Sequence, residues 1–227
     1  MEQGAASTGR KERYREIDGL RGIAATMVLL FHYTHQFRER WGHPYPARYD
    51  LDIGYLGVHL FFVISGFVIY MTVLRSRNAW DFARKRILRL YPAYWICMTI
   101  TFIVLRYMAP SLGEEPPTWR ELGVGATMVS KAFGVRWIDG AYWSLFIELG
   151  FYVIIAVCLL SPLRRYARWF AVLWFGAMVM HHLWRPVSGI SSALVLHHGP
   201  LFLAGILFYR LRTASQRNAA THALIAG

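Results

Sequence analysis

The sequence predicts an all-α fold, a polytopic bundle of membrane-spanning helices, and three observations predict it. Hydrophobic residues make up 56% of the 227-residue chain and charged residues only 17%, where soluble domains run at about 25% charged. The apolar residues gather in runs near the roughly 20 positions that a helix needs to cross a bilayer. Arg and Lys, which give a formal net charge of +12, bunch between those runs instead of lining one face. That distribution excludes nucleic acid as a partner and makes the lipid bilayer the expected one.

Six segments fit a crossing: Ile17–Phe37, Gly54–Leu74, Tyr91–Met108, Ala141–Leu160, Tyr166–Leu183 and Leu194–Tyr209. Lys11, Arg13 and Arg15 precede the first, which places the N-terminus in the cytosol. The second, fourth and sixth are followed by arginine-rich loops, and the alternate loops carry Asp50, Asp52, Glu114, Glu115 and Glu121. Six crossings satisfy this asymmetry. Residues 1–16 then form a polar tail, 17–217 the membrane domain, and 218–227 the start of a further apolar segment. The moderately apolar stretch Leu122–Val135 reads as a re-entrant or interfacial helix on the outer side. Cys97 and Cys158 sit in apolar runs and read as small buried hydrophobes.

Ionisable side chains inside such segments are costly and mark sites. Here they are His32 and His35, His59, and Glu148, with Arg21 at the inner end of the first segment. Arg21 and His32 lie on one helix face, about 16 Å apart along the axis, and Asp18 is placed to pair with Arg21. Glu148 enters from the opposite side, about 12 Å below the outer surface. A carboxylate beside an imidazole orients the ring and favours its protonated form, so Glu148 with His32 makes a candidate general base. A second reading is a transporter relaying protons over His32, His59 and Glu148. The paired halves and broken helices of such carriers are not seen in the sequence.

The stretch ARKRILRLYPAYW places Arg86 and Arg89 one turn apart at the inner surface, beside Arg84 and Lys85. Their planar forks suit phosphate, although arginines here also fix the depth of a helix. Gly57 and Gly66 allow close helix approach, and Ser65 can hydrogen-bond across the interface. His181, His182, His197 and His198 are paired, but no Cys, Asp or Glu accompanies them at ligand spacing, so no metal is expected.

Four pieces together, EIDGLRGIAATMVLLFH, GVHLFFVISGFVIY, FARKRILRLYPAYW and YWSLFIELGFY, resemble the bacterial type-3 acyltransferase family of integral membrane O-acyltransferases. Arg21 and His32 match its basic-x10-His pattern, Arg86 and Arg89 its R-x-x-R pattern, and Trp143, Ser144, Leu145 and Glu148 its Trp-Ser-Leu segment. The resemblance implies a multi-pass protein of the bacterial inner membrane. It also implies acetyl-CoA or another acyl-CoA as donor, with no tightly bound cofactor, and a hydroxyl of a carbohydrate or glycan as acceptor. His32 is then the residue most tied to catalysis, with the arginines tied to the donor. The family has about ten spanning helices, so this chain is expected to be a truncated version of that fold.

Overall fold

The computed structural model describes residues 14–42, 44–160, 164–184 and 195–226, and these are helical with no strand among them. They form a membrane helix bundle. Among the described residues three stretches are long and apolar enough to cross a membrane, Ala47–Leu74, Ala79–Leu112 and Gly140–Leu159, with a shorter apolar helix at Val172–Trp184. The first expected segment is helical too, but Asp18, Arg21, His32 and His35 keep it out of that set.

Residues up to Ile64 form one compact unit and those from Ser65 another. The first opens with α1 (Arg15–Phe31), whose first turn carries Glu16 and Asp18, where acidic side chains meet the positive end of the helix dipole. α1 passes through one π turn, His32–Gln36, into α2 (Phe37–Trp41), which ends at Gly42 with φ 75°. A 3-10 turn at Asp52–Tyr55 then leads into α3 (Leu56–Leu74). The start of α3 lies backbone-close to α1. A Cβ on Gly54 would stand 2.5 Å from the Met27 carbonyl oxygen, and one on Gly57 would stand 2.6 Å from that of Ala24. Small residues permit this approach, which stands in for hydrophobic burial between helices in lipid.

In the second unit α4 (Ala79–Met108) begins well before the expected Tyr91. Asn78 caps it, accepting the Asp81 N–H at 2.9 Å, so the whole basic stretch is helical and precedes Pro92. A core of Tyr94, Met98, Phe102, Met128, Ile138 and Tyr142 joins α4 to the segment that follows.

That segment corrects the expected helix over Leu122–Val135. Only α5 (Trp119–Gly125) is α-helical, started by a Thr118–Glu121 capping box, and Ser130–Phe133 is a 3-10 turn. Irregular backbone needs its polar groups satisfied by protein, and α4 supplies the donors. The hydroxyls of Tyr94 and Tyr91 donate to the carbonyls of Gly125 and Thr127 at 2.7 and 3.1 Å. The Trp95 indole donates to that of Ala126 at 2.9 Å.

 α6 (Trp143–Leu159) packs on α4 and carries Glu148 and Tyr152 one turn apart. α7 (Ala167–Trp184) and α8 (Gly199–Ala226) complete the unit. The start of the sixth expected segment, Leu194, lies outside the described residues, and helix begins only at Gly199. Phe202 of α8 is fully buried and stacks on Phe151 at 4.2 Å between ring centroids. At Gly66 a side chain would run into the Phe202 backbone, so α3 and α8 cross there in direct backbone contact.

The outward faces of α4 carry Ile96, Ile100, Ile103 and Val104, the surface this bundle offers to lipid. Cys97 shares that exposure and Cys158 is half-buried, which corrects the expectation that both are buried. An apolar run in a membrane helix is satisfied by lipid as well as by protein.

Candidate functional site

Two polar clusters interrupt the apolar bundle, one in each unit. In the first, His32 begins the π turn, and its Nδ1 lies 2.7 Å from the Val28 carbonyl oxygen. A carbonyl only accepts, so Nδ1 carries the proton and, in the neutral ring, Nε2 keeps its lone pair. The ring stands edge-on to Phe31, with centroids 5.7 Å apart. π turns are rare and recur at functional sites. Here Thr34 stitches the turn: its hydroxyl donates to the Leu30 carbonyl at 2.6 Å and accepts the Leu51 N–H at 3.0 Å.

In and beyond the π turn lies a set of charged contacts. His35 Nδ1 meets Asp52 at 2.8 Å and its Nε2 lies 3.4 Å from Glu39. Arg38 holds Asp50 with two hydrogen bonds of 2.5 and 2.9 Å, and this contact raises the guanidinium above its ordinary range. His35, Asp50 and Asp52 bring potential ligand atoms within 4.8 Å of one another, but Arg38 already occupies both oxygens of Asp50. Near the start of α1 Arg21 pairs with Asp18 at 3.8 Å.

In the second unit Glu148 is the centre. The Ser65 hydroxyl donates to its Oε1 at 2.7 Å, and the Tyr152 hydroxyl donates to the same oxygen. Tyr152 lies one turn beyond Glu148 on α6, so both side chains share a face. Arg86 completes the cluster from α4. It is buried, donates from Nη2 to the Val68 carbonyl at 2.9 Å, and stands over the Tyr152 ring at 5.6 Å.

The expected arginine group therefore divides. Arg86 turns into the bundle, whereas Arg84 and Arg89 are exposed, and Lys85 is tied to Asp81 and to the Arg75 carbonyl at 2.8 and 2.9 Å. The shared helix face expected for Arg86 and Arg89 is not formed, because the three-residue step separates a buried position from an exposed one at the edge of the α4 interface. Ser144 only closes a local turn onto the Ala141 carbonyl at 3.1 Å. Trp143 stands 5.4 Å from the His198 ring. The rings of His181, His182, His197 and His198 gather at neighbouring spacings of 4.6–6.3 Å.

Sequence reasoning missed Tyr152. Its signal was present: a tyrosine one turn from a membrane carboxylate must find a partner for its hydroxyl when buried. The π turn had no comparable signal, since tertiary bonds to Thr34 hold it.

A family model described as an acyltransferase domain matches residues 14–227. The BcsY protein of Komagataeibacter xylinus, designated a membrane-bound transacylase, is 28% identical over 95% of this chain and 56% of its own length. An O-acetyl transferase of Shigella phage Sf6 is 31% identical over 43% of this chain and 28% of its own. The O-acetyltransferase OatA of Staphylococcus aureus is 30% identical over 39% and 14%. The chain thus spans about half the length, or less, of these curated relatives. No solved structure matches it.

Proposed function

The chain belongs to the acyltransferase family, and from that premise we propose that it takes part in O-acyl transfer within the bacterial inner membrane, with its N-terminus in the cytosol. The donor in this reading is an acyl-CoA, acetyl-CoA foremost, and the acceptor is a hydroxyl of a carbohydrate or glycan. The names of the relatives support O-acetyl transfer.

The observation that carries the reading is the His32 ring, fixed by Val28 with Nε2 left to accept a proton. As the acceptor oxygen attacks the thioester carbonyl, Nε2 takes the hydroxyl proton. The carbon–sulfur bond then breaks, and the departing thiolate recovers that proton from the imidazolium. General-base assistance of this kind contributes about 10²–10⁴ in rate. Glu148, anchored by Ser65 and Tyr152, serves the same reaction as a fixed negative charge. Arg89 and Arg84 lie exposed on the basic turns of α4 and meet the donor phosphates, as arginine forks do. Arg21 fixes the inner end of α1 through Asp18.

Expression of the protein in a bacterial host lacking its own envelope O-acetylation tests this reading. The expected result is ester-linked acetate on envelope glycans that disappears in His32→Ala at equal protein level. Acetylation that is unchanged by His32→Ala overturns the mechanism.

A further inference from the structure

Arg86 is 4% exposed, and it donates a hydrogen bond to the Val68 carbonyl. Its Nε is buried without a hydrogen-bond partner. The rings of Tyr152 and Phe82 flank the guanidinium at 5.6 and 5.9 Å. A cation buried this far is stable only beside an anion. Asp81, the acidic residue on the same helix, is committed to Lys85 and to the Arg77 N–H. Tyr152, whose ring lies under the guanidinium, donates its hydroxyl to Glu148 and so links Arg86 to that carboxylate.

We propose that Arg86 and Tyr152 are positioning residues, which hold Glu148 aimed, and that Arg86 takes no part in holding the donor. Three contacts divide the work. Tyr152 and Ser65 fix the carboxylate through Oε1, Arg86 supplies the counter-charge, and the Tyr152 ring holds the guanidinium by its π face. Oε2 takes no hydrogen bond among the described residues and is the oxygen left for the reaction. The assignment rests on the acyl-transfer reading, and it separates two arginines that a sequence motif treats as one unit.

Two measurements test it, one of which needs no activity. In thermal unfolding of the purified protein, Arg86→Met lowers the midpoint, and the double variant Arg86→Met with Glu148→Gln regains more than half of that loss. Removing both charges leaves no uncompensated ion. In acyl-transfer kinetics, Tyr152→Phe and Arg86→Lys lower kcat by about tenfold or more, as expected for a lost bond to a charged group, and leave the acyl-CoA KM unchanged. Arg89→Ala shows the opposite split, a raised KM with kcat retained. A double variant no more stable than Arg86→Met, or a donor KM that rises in Arg86→Lys as in Arg89→Ala, overturns the proposal. If the wild type transfers no acyl group, the function reading fails and the unfolding measurement still decides this one.

Discussion

The Nδ1–H of His32 donates to the Val28 carbonyl one turn earlier on α1, at 2.7 Å, and this single bond decides which ring nitrogen carries the proton in the neutral ring. It predicts the tautomer. Nitrogen-15 spectra of histidine-labelled protein, taken at a pH where the ring is neutral, should show the His32 proton on Nδ1. A proton on Nε2 would remove the base.

Ser65 donates one of the two hydrogen bonds that Glu148 Oε1 receives. Hydrogen bonds to charged groups contribute about 1.5–3 kcal/mol. Ser65→Ala should therefore reduce acyl transfer by about ten- to a hundredfold if that stabilisation is expressed in the transition state. Ser65→Thr, which keeps the donor, should stay nearer the wild type. The assay is turnover at matched protein amounts.

Gly66 and Phe202 meet backbone to backbone. Overpacking of this kind costs about 1–3 kcal/mol. Gly66→Val should lower the thermal midpoint of the purified protein, and more so than Gly123→Val, where nothing stands within 4 Å.

Glu121 lies outside the spanning helices and makes the pH dependence of the outer segment explicit. Burial pulls its carboxyl up, but the Arg136 guanidinium and the Thr118 N–H outweigh it and hold the group below the usual carboxylate range. A lowered value stabilises the folded segment above the ordinary Glu value of about 4.3. That contribution is lost as the pH falls through the folded value. Amide exchange in α5 should accelerate over that acidic window, and Glu121→Gln should flatten the dependence.

The helical content was legible because apolar runs of bilayer length leave few alternatives. So was the pairing of Asp18 with Arg21, a local i,i+3 relation. Arg86 was read as sharing one helix face with Arg89, since a cluster of basic residues reads as a solvated end. Whether a given turn of α4 faces in or out depends on partners that local spacing does not contain. Leu122–Val135 has the composition of a helix, and only the aromatic donors of α4 make its broken backbone affordable. Tyr152 was missed because only its burial and the carboxylate one turn away give its hydroxyl a purpose.

The central claim is that His32 accepts the proton of the acceptor hydroxyl. It is tested most directly by transfer of radiolabelled acetyl from acetyl-CoA by the protein reconstituted in liposomes, comparing wild type with His32→Ala and His32→Gln. A fall of about 10²–10⁴ in kcat in both variants, with thermal midpoints intact, is the predicted result. Turnover at the wild-type rate in either would contradict it.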